Sequence, residues 1–249
     1  MSDIISRNED GILHLRLNRP GKKNALTGAM YAALSEGLAE AGRDHGIKAV
    51  IMSAEGSDFC AGNDIFDFAQ GFAANGDVPV EELPVFRFLK AVTFFEKPLI
   101  AAVQGQAVGV GVTLLLHCDL AVVADDVKLS LPFLKLGLVP EAGSTLLLPR
   151  RIGHARAFAW MALGEAVRAD EALSLGLVNR IAARDAIDGV ALELAQKLGR
   201  LPAVAVRHTK ALMRDPEGLW QVVLAEGEIF RGLLTSPEAM AAFAAFMSK

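Results

Sequence analysis

PLIAAVQGQAVGVGVTLLLHCDLAVVAD, residues 98–125, carries no charged side chain over the 18 positions from Leu99 to Leu116. That length is near the lower limit for a helix that crosses a bilayer. The content of the run argues against such a span. Gln104, Gly105, Gln106, Gly109 and Gly111 divide it into a short apolar strand after a proline stop, a glycine turn and the start of a helix. Asp119 to Ala124 then supplies another apolar strand, so the segment reads as part of an α/β protein.

The same alternation extends upstream. Ile4 to Asn8 and Ile12 to Asn18 read as strands joined at the hairpin turn Glu9-Asp10-Gly11. Thr27 opens a helix with apolar positions at Met30, Leu34 and Leu38, which Gly42 and Gly46 weaken. Lys48 to Ser53 is a continuous apolar strand, followed by helices over Ile65 to Phe72 and Glu82 to Phe95 and by the strand Pro98 to Gln104. Lys128 to Ser130 adds a further strand. Together these predict an α/β fold with a mostly parallel sheet covered by helices.

Beyond Gly153 the pattern becomes almost wholly helical: His154 to Leu163, Ala169 to Leu175, Ala186 to Leu198, Ala203 to Met213, Glu217 to Leu234 and Pro237 to Met247. A helical tail of this kind is expected to pack on a neighbouring subunit. No repeat, low-complexity stretch or flexible linker divides the chain.

With 249 residues, 52% of them hydrophobic, the chain can bury a large core within one domain. A net charge of −4, with no basic cluster larger than Arg150-Arg151 or Lys22-Lys23, argues against a nucleic-acid footprint. Cys60 and Cys118 lie far apart without metal-ligand spacing, so a reduced compartment is expected and a structural metal is not. MSDIISRNED lacks the basic end and apolar stretch of a signal peptide, which predicts a cytoplasmic protein with no membrane partner.

One carboxylate stands out. Within LPFLKLGLVPEAGSTLLLP, residues 131–149, Glu141 sits between a rigid proline and a small turn in apolar surroundings. There it would lose hydration, which raises its pKa toward the range of a working acid/base. The competing reading is a surface glutamate capping the following helix, a role that Ser144 would share. Two glycine turns, at Phe59 to Ile65 and at Gly105 to Val112, each join a strand to a helix and could leave backbone N–H groups free. Converging on one oxygen, two such groups would form an oxyanion hole. The second turn lacks the third glycine of a dinucleotide fingerprint. Satisfied structural roles are expected for His117 and Asp119, a buried thiol for Cys60, a loop or helix cap for Asp64, and packing or subunit contact for Trp160 and Trp220.

NRPGKKNALT at Asn18 to Thr27, FCAGNDI at Phe59 to Ile65, the 98–125 stretch, LPFLKLGLVPEAGSTLLLPRRIG at Leu131 to Gly153 and GLVN at Gly176 to Asn179 together resemble the crotonase, or enoyl-CoA hydratase/isomerase, superfamily. The resemblance covers most of the chain. It implies a ββα-spiral core, assigned here to residues 1–195, and a helical C-terminal trimerisation region, residues 196–249. It further implies trimers or dimers of trimers, an acyl-CoA thioester as ligand, and no cofactor beyond the coenzyme A of the substrate. By that similarity the N–H groups of Asn63 and Val110 form the oxyanion hole. Ala25, Ala61, Asp64 and Ile65 would line the adenine and pantetheine path, and Lys22 or Lys23 would lie near the CoA phosphates. Gly109 and Phe133 would touch substrate, and Phe68, Phe72, Val85 and Phe86 would wall an acyl pocket.

Hydratases of the superfamily carry two glutamates that orient a water, and here those places fall on Thr113 and Phe133. Neither side chain can do carboxylate chemistry. Glu141 instead matches the only carboxylate of peroxisomal-type Δ3,Δ2-enoyl-CoA isomerases. The resemblance therefore implies movement of a 3-enoyl-CoA double bond to the 2-position, with no metal or redox cofactor required. Alternatives are another crotonase-type enzyme, such as a hydratase, hydrolase or dehalogenase-like member, and a non-catalytic acyl-CoA-binding protein.

Overall fold

The computed structural model describes residues 2–74 and 78–247. β1 (Ile4–Glu9) and β2 (Ile12–Leu17) pair antiparallel across Asp10 and Gly11, both at positive φ, as the acidic turn predicts. The Thr27 hydroxyl accepts the Met30 N–H at 3.3 Å and starts α1 (Gly28–Arg43), which buries Met30, Tyr31, Leu34 and Leu38. β3 (Ala49–Ala54), α2 (Ile65–Ala74), α3 (Pro84–Thr93) and β4 (Leu99–Val103) follow. The expected Glu82–Phe95 helix starts later than predicted, because Pro84 fits only the first turn of α3.

The uncharged 99–116 run resolves into β4, then β5 (Gln106–Val108), α4 (Val110–Thr113) and a 3₁₀ turn at Leu114–Leu116. Among the described residues no helix is long and apolar enough to cross a membrane. β6 (Leu120–Ala124), β7 (Lys128–Ser130), a 3₁₀ turn at Leu134–Leu136, α5 (Ser144–Ile152) and α6 (His154–Leu163) come next. β8 (Val167–Arg168), α7 (Ala169–Ser174), β9 (Arg180–Ala182), α8 (Ile187–Gly199), α9 (Ala203–Leu212), α10 (Pro216–Leu234) and α11 (Pro237–Met247) complete the chain. The region beyond Gly153 is almost wholly helical, as expected, with two short strands besides. β8 and β9 are too short to show a strand period, and each is set by its partner, β7 and β6 respectively.

The main sheet runs β1-β2-β3-β4-β6-β9, parallel throughout except for β1. A second sheet, β5-β7-β8, stands beside it. Strand alternation divides the core between the two faces of the main sheet. Leu13, Leu15, Val50, Met52, Ala101 and Val123 join the large core with α1 and α3. Ile12, Ile51, Ile100, Ala102 and Val122 meet Ile187, Ala191 and Ala195 of α8, a stripe at four-residue spacing. The expected boundary between residues 195 and 196 falls inside α8, which packs on the sheet as one helix to Gly199.

α10 packs on α3 and α5 of its own chain, and α11 on the Leu134–Leu136 turn. The contacts are close. A Cβ on Gly227 would lie 2.4 Å from the Phe86 ring, and one on Gly137 would lie 2.9 Å from the Ala239 nitrogen.

Candidate active site

The two glycine turns lie side by side. Cys60 bridges Ala107 in parallel register: the Cys60 N–H donates to Gln106 O at 3.1 Å, and the Val108 N–H donates to Cys60 O at 2.9 Å. Three residues further along each segment stand Asn63 and Val110. A second bridge ties Leu26 to Asn63: Leu26 N–H donates to Gly62 O and Asp64 N–H to Leu26 O, both at 2.8 Å. That pattern uses the Gly62 carbonyl and the Asp64 N–H on either side of Asn63 and leaves the Asn63 N–H free. Val110 opens α4, where the first amides have no partner within the helix. Among the described residues, neither the Asn63 nor the Val110 N–H donates a hydrogen bond.

Glycine makes this juxtaposition possible at two points. Gly109 has φ 54° and ψ −118°, a conformation that excludes a side chain. A Cβ on Gly111 would sit 2.8 Å from Cys60 O and 2.9 Å from Cys60 Cβ, so only hydrogen there lets α4 rest on the first turn. The Phe133 ring lies against Gly109, 3.8 Å from where a Cβ would be.

Glu141 is 7% exposed, and its Oε1 accepts the Thr113 hydroxyl at 2.7 Å. Burial pushes its carboxyl up to about 7, with the charge of Glu226 adding to the rise and the Thr113 hydrogen bond opposing it. The helix-capping reading of Glu141 fails. Gly143 is the N-cap of α5, and the amides there go to Glu226 instead: Gly143 N–H donates to Oε2 at 2.6 Å and Thr145 N–H to Oε1 at 2.9 Å. Between Glu141 and Gly143, Ala142 adopts φ 60°, rare for a residue with a side chain. His117 Nε2 lies 2.7 Å from Ala142 O. Burial pushes the imidazole down to about 4, so it is neutral and Nε2–H is the donor.

Two residues absent from the sequence reading complete the site. Tyr31, fully buried, donates its hydroxyl to Asn63 Oδ1 at 2.5 Å, and its ring packs on Phe88. Burial holds that phenol well above its usual range, and the charges of Glu141 and Cys60 add to the effect, which places all three together. Glu226 is the other. Tyr31 is the sole tyrosine and stands in an apolar helix stripe, the one signal the sequence offers; Glu226 interrupts an apolar run on α10.

Other expected residues fall into place around this centre. Cys60 is a buried thiol pushed up to about 12 by burial, hence unreactive. Asp64 pairs with Arg19 at 2.8 Å and accepts the Asp67 N–H at the start of α2, a structural role that leaves Ile65 as the first helical residue. Lys23 O holds the Ala61 N–H, and Ala25 O accepts from Arg19, so the Lys22-Lys23 loop is tied to the Cys60–Asn63 turn. Val85 and Phe86 are buried on α3; the side chains of Phe68 and Phe72 lie outside the described residues. Asp119 accepts from Leu99 N–H, Lys210 and Arg214, a structural node, and Trp160 and Trp220 belong to the core.

The sequence profile of the enoyl-CoA hydratase/isomerase family matches residues 7–244. The chain belongs to that family. Its members act on acyl-CoA thioesters, and this chain is an enzyme of the crotonase superfamily with the crotonase fold. It is similar to the 2,3-dehydroadipyl-CoA hydratase of Escherichia coli, 34% identical over 100% of this chain and 97% of the relative. It also resembles the 1,2-epoxyphenylacetyl-CoA isomerase of that organism, 34% identical over 87% and 84%. The structure of OdaA from Pseudomonas aeruginosa superposes with a TM-score of 0.94 at 41% identity, covering 100% of both chains.

Proposed function

We propose that this family member moves the double bond of a 3-enoyl-CoA to the 2-position, with Glu141 as its single acid/base. The observation that carries the reading is a buried carboxylate, poised near neutrality and hydrogen-bonded to Thr113, while the two places that hold a hydratase's glutamates are Thr113 and Phe133. Glu226, the other buried carboxylate nearby, is engaged by the amides of the α5 turn.

The chemistry needs one base. The C2 hydrogen of a 3-enoyl thioester is acidified by both the carbonyl and the double bond. Ionised Glu141 takes that proton, and the resulting dienolate carries its charge mainly on the thioester oxygen, facing the Asn63 and Val110 N–H groups. Each such donor contributes about 3 kcal/mol in comparable sites. The protonated carboxyl then delivers the proton to C4 and the conjugated 2-enoyl thioester leaves. Lys22 or Lys23 would meet the CoA phosphates, with Ala25, Ala61, Asp64 and Ile65 along the path to them. The assembly is a trimer or dimer of trimers.

A hydratase is the second reading, favoured by the named hydratase that spans the whole chain. Separate incubations with a 3-enoyl-CoA and a 2-enoyl-CoA discriminate the two. Formation of 2-enoyl-CoA from the first, with no 3-hydroxyacyl-CoA from the second, is expected. Faster hydration than isomerisation would overturn the proposal.

A further inference from the structure

We propose that Glu226 of α10 is a positioning residue for the acid/base, clamping the turn that carries Glu141 so that the C-terminal helical region fixes where that carboxylate points. The inference rests on Glu141 being the working group.

Glu226 lies in the apolar stripe that buries Trp220, Val223 and Phe230, and it is 5% exposed. A carboxylate in that position is costly unless it is hydrogen-bonded. Its partners are Gly143 N–H, Thr145 N–H and the Thr145 hydroxyl, all on the turn directly after Glu141. The same turn contains the left-handed Ala142, a backbone state that persists only where neighbours hold it. His117 holds the Ala142 carbonyl, and Glu226 holds the Gly143 and Thr145 amides. A separate observation shows how closely α10 approaches: a Cβ on Gly143 would lie 2.4 Å from Leu219 Cδ1. The turn therefore cannot shift without α10.

The clamp is also titratable: burial pushes the Glu226 carboxyl up to about 7, against the pull of the Thr145 and Gly143 hydrogen bonds, so it ionises in the same range as Glu141. The groups facing Glu141 are the Thr113 hydroxyl on α4, the Cys60 thiol, the Tyr31 phenol on α1 and Glu226; the nearby imidazole of His117 is neutral. Of these, Glu226 raises the Glu141 carboxyl, so removing its charge lowers the pH at which Glu141 ionises.

Glu226→Gln is the test, assayed for double-bond migration with 3-enoyl-CoA across pH, with Glu141→Gln alongside. The expected result is a kcat lower by roughly tenfold to a hundredfold, a KM within about threefold, and an acid limb of the kcat profile moved to lower pH. An unchanged kcat, or a lowered kcat with the acid limb unmoved, overturns the proposal, the latter marking a merely structural role. Should Glu226→Gln fail to fold, Thr145→Val decides by removing one hydroxyl from the clamp. Lower kcat at unchanged KM then supports the proposal, and undiminished kcat overturns it. If Glu141→Gln keeps full activity, the reading of Glu141 itself fails, an outcome separate from any result at Glu226.

Discussion

A carboxyl that must take a proton and return it works best when its two forms are close in energy at the working pH. Burial brings Glu141 to that condition, near 7. The sign of the stability effect follows. The folded chain binds this proton more tightly than the unfolded chain, so its contribution is complete below the ordinary carboxylate range and is lost as pH rises through about 7. Glu141→Gln is therefore expected to be more stable than the native chain at pH 8.5, by on the order of 2 kcal/mol, with the difference vanishing near pH 4; thermal unfolding at the two pH values checks this. Tyr31→Phe leaves Asn63 Oδ1 without its partner and loosens the Cys60–Asn63 turn. We expect about tenfold lower kcat from the loss of one buried hydrogen bond, read by steady-state kinetics beside a thermal melt. The burial of Glu141 was legible from its apolar neighbours, whereas the competing helix-cap reading was open in the sequence and is excluded only by the Gly143 cap of the folded turn. Tyr31 and Glu226 were not legible, because both occupy apolar helix stripes and their polar atoms reach partners 32 and 81–83 residues away.

At the scale of elements, the decisive contact is α4 against the Cys60 turn. Gly111→Ala puts a methyl 2.8 Å from Cys60 O, and a backbone atom cannot swing aside. A destabilisation of about 1–3 kcal/mol is expected, together with a kcat loss larger than any change in KM, because the Asn63 and Val110 amides are driven apart. Denaturant melts and kinetics on the same preparation test both halves. The strand–turn–helix order of this region was readable from its glycines, and the α1 cap from Thr27. β5, β8 and β9 were not: at two or three residues each, no period can develop, and their existence depends on pairing with β7 and β6.

For the whole molecule, the site is assembled from α1, the Cys60–Asn63 turn, α4, the Glu141 turn and α10, segments spread over nearly 200 residues. The alternating pattern made the parallel α/β core legible, and the ordered motifs made the superfamily legible. The return of α10 and α11 onto their own chain was hidden, since an amphipathic helix does not state which surface it covers. One tie between the tail and the core is the Asp119 node, where Lys210 and Arg214 of the tail meet the start of β6. Asp119→Ala leaves the buried Lys210 without its counter-charge, and a loss of about 3 kcal/mol is expected in urea unfolding. The most direct test of the account is the rate at which a 3-enoyl-CoA deuterated at C2 loses that label, native chain against Glu141→Gln. Rapid loss is expected with the native chain and at least a roughly hundredfold slower loss with the variant; equal rates would show that Glu141 does not take the C2 proton.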